Sequence, residues 1–136
     1  MNVGDIPLFA MLRSRLGYLS QREQKIAQNI ANSDTPRYTP EDLKPFSFQA
    51  KLESAQSAST PAVTQPGHIG GGSAFGDQIF RPVRKKDSET TLDGNSVVLE
   101  EETIKMADAR MNYDAAIGFY QKSLSLLRMA AKAPGK

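Results

Sequence analysis

Apolar side chains recur along the first third of the chain at spacings of 3, 4, 3, 4, 3 and 4: Phe9, Leu12, Leu16, Leu19, Glu23, Ile26 and Ile30. That spacing lays a single stripe along a helix, with one charged member, Glu23. Residues 21–28 off the stripe are mostly polar. Asp5 is placed to cap this helix and Pro7 to sit in its first turn, where a missing N–H costs nothing. No further proline occurs before Pro36, and Gly17 is the single glycine between Pro7 and Ala31. A second stripe runs at the other end. Leu99, Met106, Tyr113, Tyr120 and Leu127 recur every seven residues, with Thr103, Arg110, Ile117, Leu124 and Ala131 as alternate members. Asp93-Gly94-Asn95 signals a turn, and Asn95 or Ser96 is placed to cap the helix that follows. Glu100, Glu101 and Glu102 fall in its first turn, where the helix dipole favours negative charge. Pro134 and Gly135 mark the end. At 1.5 Å per residue the second helix is roughly 50 Å long and the first roughly 40 Å.

The pattern predicts a mainly α protein with three segments. An N-terminal amphipathic helix occupies 1–35, a Pro/Gly/Ser-rich middle occupies 36–92, and a C-terminal amphipathic helix occupies 93–136. The helices are expected to form a coiled-coil-like pair. Pro40, Pro45, Pro61, Pro66 and Pro82 punctuate the middle, and residues 67–73 resemble a flexible linker. A short helical turn or two is predicted over 44–55 and one short strand over 77–83. Otherwise this stretch is largely irregular, either disordered or ordered only against a partner.

Residues 29–38, Asn-Ile-Ala-Asn-Ser-Asp-Thr-Pro-Arg-Tyr, must turn the chain out of the first helix. Pro36 pushes Thr35 towards extended backbone. Asn32 suits the left-handed conformation that often ends a helix, and Tyr38 is a natural peg for the exit direction.

Two helices offer long stripes and too little of the chain's own material to cover them, so the pair is marginal alone and built to be completed by neighbours. The expected assembly seam is Phe9, Leu12, Leu16, Leu19, Ile26 and Ile30 on one helix. On the other it is Leu99, Met106, Tyr113, Ile117, Tyr120, Leu124 and Leu127. If the helices run antiparallel with Glu23 opposed to Arg110, Leu16 meets Ile117 and Phe9 meets Leu124; the alternative is that the two charges are solvated at the edge of the stripe.

Charge and composition narrow the function classes. The 136 residues carry 17 basic and 15 acidic side chains, a net charge of +2, which is not the footprint of a nucleic-acid binder. The absence of cysteine excludes a disulfide framework, a thiol nucleophile and a cysteine zinc site. Residues 1–7 lack the basic and continuous apolar stretches of a secretory signal, and no run is long enough to span a bilayer. Export without a cleaved signal and no direct membrane insertion are therefore expected. His68, the single histidine, lies in a glycine-rich loop without a nearby carboxylate, and residues 67–76 contain no phosphate-binding motif. Arg81, Arg84, Lys85 and Lys86 form a basic cluster followed at once by Asp87 and Glu89. It reads as a solvated loop or, less simply, as a contact for an acidic surface. No catalytic, cofactor-binding or metal-ligating residue is assigned, and no enzyme activity is expected.

The Asn29-Ile30-Ala31-Asn32 and Thr35-Pro36-x-Tyr38 elements resemble the N-terminal motif of bacterial flagellar axial proteins, the rod, hook and hook-associated family. Asp93-Gly94-Asn95-Ser96-Val97, the acidic run and Tyr113 resemble that family's C-terminal signature. The short length, the Asp-Gly-Asn opening and His68-Ile69 favour a proximal rod protein within the family, and the last two weigh against another short rod protein of the FlgC type. The motif residues are Asn29, Asn32, Thr35, Pro36, Tyr38, Asp93, Gly94 and Asn95. Two positions depart from the family pattern: Arg37 replaces a glycine and is strained if its φ is positive, and Val98 replaces an acidic residue. The resemblance implies a self-assembling subunit of the periplasmic rod of the basal body, exported by the flagellar type III apparatus to transmit torque. It implies partners among other rod subunits, the ring–rod adaptor FliE and the export apparatus. A helical adaptor or secreted binding protein accepting one foreign helix is the alternative from another class.

Overall fold

A computed structural model describes residues 6–47, 49 and 80–132. In chain order the elements are α1 (Pro7–Ala31), β1 (Glu41–Leu43), β2 (Pro82–Arg84) and α2 (Leu99–Ala131). The protein is mainly α, with its two long helices towards the chain ends.

Helix α1 starts at Pro7, whose ring is pre-set for a first helical residue. Ile6 occupies the cap position without a side-chain bond, while Asp5 lies outside the described residues. The helix ends at Asn32 through a device other than the expected left-handed residue. Asn32 has φ −101°, and its side-chain Nδ2 donates back to the Gln28 carbonyl at 2.8 Å. The amide itself satisfies a last-turn acceptor, so no backbone inversion is needed there.

The helices run antiparallel. Phe9 meets Tyr120 edge-on at 5.3 Å, Arg22 reaches Asp108 at 3.4 Å, and Asn29 reaches Glu102 at 2.9 Å. This register differs from the Glu23–Arg110 alignment by about one helical turn. Arg110 is exposed, and Phe9 packs on Tyr120. One aromatic pair, one ion pair and one buried hydrogen bond outweigh a single possible surface ion pair, which is worth little in water.

On α1, Phe9, Leu12, Leu19 and Ile26 are buried, as are Tyr18 and Asn29 beside them, and Leu16 and Ile30 are half-buried. On α2 the fully covered positions are Glu102, Ala109 and Ala116. They alternate with half-buried Met106, Tyr113, Tyr120 and Leu127. The second row therefore lies one residue N-terminal to Thr103, Arg110, Ile117 and Leu124. Thr103 and Arg110 are exposed, Ile117 and Leu124 half-buried, and Leu99 is 45% exposed. Small alanines at 109 and 116 let the α1 backbone come close. A search for large apolar side chains passes over them.

Both ends of the middle segment are ordered. β1 and β2 pair antiparallel, Glu41 opposite Arg84 and Leu43 opposite Pro82. Pro82 sits at the first strand position, where its missing donor is tolerated. The strand expected over 77–83 thus begins at 82, with 77–79 outside the described residues. Residues 44–47 are not helical, while Gln49, the one further described residue of the expected helical turn, is helical. Phe46 and Phe80 flank the ladder and close on Tyr18, with ring centroids 5.5 and 5.2 Å away. Together with Leu19, Leu43 and Ala116 these rings form the core beside mid-α1. The Phe80 N–H donates to Gln21 Oε1 at 3.0 Å. Arg22 holds Asp42 with a two-point fork at 3.1 and 3.3 Å, and Lys25 holds Glu41 at 3.0 Å.

Candidate assembly interface

The two ends of the chain meet where α1 stops and α2 begins. Asn29, 1% exposed, uses its whole amide. Its Oδ1 accepts from the Glu41 N–H at 2.9 Å and the Tyr38 hydroxyl at 3.1 Å. Its Nδ2 donates to the Glu41 carbonyl at 2.8 Å and to Glu102 Oε2 at 2.9 Å. One side chain thereby ties α1, the exit loop, β1 and α2 together. No other uncharged residue of that size offers two donors and two acceptors in one plane.

Asn95 performs the reciprocal task. Its Nδ2 donates to the carbonyls of Asn32 and Thr35 at 2.9 and 2.7 Å, while its Oδ1 accepts from the Val97 N–H at 2.8 Å. It was expected to cap α2; instead it fastens the α1 exit loop. Backbone bonds from Arg37 N–H to the Asp93 carbonyl and from Ser96 N–H to the Tyr38 carbonyl, both 3.0 Å, complete the seam. Thr35 and Pro36 are exposed and contribute backbone shape.

Helix α2 is capped from outside its own sequence. Val98 is the cap residue, and its N–H donates to Asp87 Oδ2 at 2.9 Å. Lys105 bridges Asp87 Oδ1 at 2.7 Å and Glu102 Oε1 at 2.6 Å. Glu102 is fully buried, so this ammonium and the Asn29 amide are what make its charge tolerable. Burial alone would lower the Lys105 pKa. Its bonds to the two carboxylates outweigh burial and hold it above the usual lysine range. Burial raises the Tyr38 hydroxyl, helped by the nearby Glu41 charge. Tyr18 is raised chiefly by burial too, against the opposing influence of Arg22.

Arg37 adopts φ 60° and is the one described non-glycine residue with positive φ. Gly94, at φ 84°, packs against it: a Cβ there would lie 3.1 Å from Arg37 Cγ and 3.4 Å from Arg37 Cα. The left-handed turn therefore comes at Arg37, after the proline, and Gly94 supplies the clearance.

Of the residues that matter here, the sequence reading passed over Glu102, Lys105 and Asp87. Glu102 reads as one of three interchangeable first-turn carboxylates, yet only it is buried. The Glu102–Lys105 spacing of three was the available signal. His68 lies outside the described residues. Arg81, Arg84, Lys85 and Lys86 are exposed, with Arg84 only loosely associated with Glu41 at 3.9 Å. Among the described residues no His, Cys, Asp or Glu cluster could hold a metal ion, and no helix is long and apolar enough to cross a membrane.

The chain as a whole is similar to known proteins. The chain is 31% identical over 114 residues to a flagellar basal body rod protein FlgB of Cereibacter sphaeroides, covering 82% of this chain and 83% of the relative. It belongs to the FlgB family of flagellar basal body rod proteins. A FlgB of Agrobacterium fabrum is 29% identical over 129 residues, 93% of this chain and 94% of its own length. The Salmonella typhimurium FlgB is 30% identical over 108 residues, 75% of this chain and 76% of its own. No protein-family model matches the chain. Membership in the FlgB family displaces the FlgC-type reading.

Proposed function

We propose that this chain is a structural subunit of the proximal rod, self-assembling through its terminal helices and passing torque from subunit to subunit. The carrying observation is the junction. Asn29 and Asn95, one from each family motif, lock the two ends into a single antiparallel unit. A torque-bearing subunit needs such a lock, because a load applied to one helix must reach the other without the pair sliding. Polar side-chain bonds, unlike apolar seams, resist sliding at a defined register. With Phe9 on Tyr120, the last turns of α2 extend past the described start of α1, leaving seam residues such as Leu127 for a neighbour. Its work is mechanical rather than enzymatic. Its partners in this reading are other rod subunits, the ring–rod adaptor FliE and, in transit, the flagellar export apparatus. Its station in this reading is the periplasmic rod.

The test is replacement. In a bacterium stripped of its own FlgB, this chain with a short internal tag is expected to be recovered in purified basal bodies and to restore swimming. An Asn29→Ala/Asn95→Ala chain is expected to be exported yet fail to do either. Absence of the unaltered chain from purified basal bodies would contradict the proposal.

A further inference from the structure

Helix α2 carries a second apolar stripe on the side away from α1. Ile104 is 69% exposed, Met111 72%, Phe119 51% and Leu126 53%. Their spacing of seven and eight places them on one stripe, which winds from the side opposite Glu102 and Ala109 to within about 60° of Ala116 at Phe119. Ala115 and Gly118, at the middle of this face, are also exposed, and nothing lies within 4 Å of where a Gly118 Cβ would be. The outward face of α1 cannot match it, because Arg13, Ser20, Gln24 and Gln28 are exposed there.

We infer that the free chain self-associates through this stripe, α2 against α2 of a second copy, antiparallel about a two-fold axis at Ala115. The stripe is its own complement in that arrangement. Ile104 faces Leu126 of the second copy, Met111 faces Phe119, and each pairing occurs twice. Asp108 faces Lys122, both exposed; Asp108 remains 59% exposed while touching Arg22. Small residues at the centre let the backbones approach. A parallel, in-register pairing would instead set Asp108 on Asp108 and Lys122 on Lys122, which is repulsive. The contact from Ile104 to Leu126 is roughly 33 Å long and about 10 Å wide. It therefore buries roughly 700 Å² in total, less than a stable interface needs. The dimer is accordingly weak and concentration-dependent. Because a two-fold contact closes on itself, it shields the stripe without growing into a filament, a holding form of the unassembled chain. The inference does not depend on the rod reading, since a chain that builds rods could still lack this dimer.

The chain contains no cysteine, so disulfide trapping reads the geometry directly. Purified full-length Ile104→Cys and Leu126→Cys chains are mixed at high concentration and mildly oxidised. The expected product is the mixed 104–126 disulfide. Predominance of 104–104 or 126–126 products, or no cross-link with a monomer at every concentration, would overturn the inference. Charge reversal is an independent check by sedimentation, with circular dichroism confirming helicity. Asp108→Lys or Lys122→Asp alone is expected to weaken the dimer about tenfold. The double variant is expected to recover to within about twofold of the unaltered chain, because the two positions lie some 21 Å apart on one helix and can meet only across copies. No recovery in a helical double variant would overturn it equally.

Discussion

Arg37 holds a left-handed conformation at φ 60° that disfavours any side chain bearing a Cβ. Arg37→Gly is expected to stabilise the chain by roughly 0.5–1 kcal/mol, the relieved strain being partly offset by a more flexible unfolded state. Gly94→Ala, forced to φ 84° against Arg37, is expected to destabilise it by roughly 1–2 kcal/mol. Denaturant melts of the two variants check both signs. Asn29→Ala orphans the Glu41 backbone and one Glu102 oxygen in a buried place. A loss of roughly 2–4 kcal/mol is expected, and Asn29→Leu, which fills the space without bonding, should not recover it. The sequence showed that residues 29–38 end a helix and that Asp93-Gly94-Asn95 is a turn. It did not show that the two turns are one structure, because hydrogen bonds spanning about 60 residues leave no local signature. The strain at Arg37 was legible only as a condition on φ.

At the scale of elements, period and polarity revealed both helices, while their opposed direction entered only as a supposition pairing Glu23 with Arg110. The α2 face was misjudged by one residue because alanine and a buried glutamate carry it, and these are invisible to a search for large apolar groups. Of the β1–β2 ladder the sequence revealed one strand, expected over 77–83, and missed β1 and the pairing for a different reason. Three-residue strands fall below the length at which alternation can be recognised. What holds the ladder to α1 is the ring cluster of Tyr18, Phe46 and Phe80. Phe80→Ala is therefore expected to release β2 selectively. Amide exchange at Val83 and Lys85, whose N–H donates to the Pro40 carbonyl at 2.9 Å, should accelerate by tenfold or more, about 1.4 kcal/mol or above, with the junction amides of Arg37 and Ser96 unchanged. Exchange read by peptide-level mass spectrometry would show whether ladder and junction are separate units.

For the whole molecule, the groups that titrate on the alkaline side and couple to folding act in one direction. Lys105, raised from its usual 10.5, contributes stability that is complete below that value and lost as pH climbs through its higher folded value. Tyr18 and Tyr38, raised from 10.0, keep their protons longer folded than unfolded, so they too favour folding less as alkalinity grows. The melting temperature is expected to hold steady through neutral pH and fall from about pH 10 upward. Lys105→Met should lower the plateau and flatten that fall. The partners of the outer surfaces were the least legible feature, since a stripe announces that it wants covering without naming what covers it.

The central claim is that one chain supplies a locked junction and incompletely covered helices that neighbours must finish. Hydrogen exchange on the isolated chain, followed from dilute solution to high concentration and to assembled basal bodies, tests it most directly. The expected result is protection of residues 29–38 and 93–109 even when dilute. The last turns of α2, 124–131, which run past the described start of α1, should exchange freely until assembly covers them, whereas 7–14, buried at Phe9 and Leu12, should be protected. Uniform strong protection along both helices in a dilute monomer would contradict the claim, because the stripes would then be satisfied within one chain.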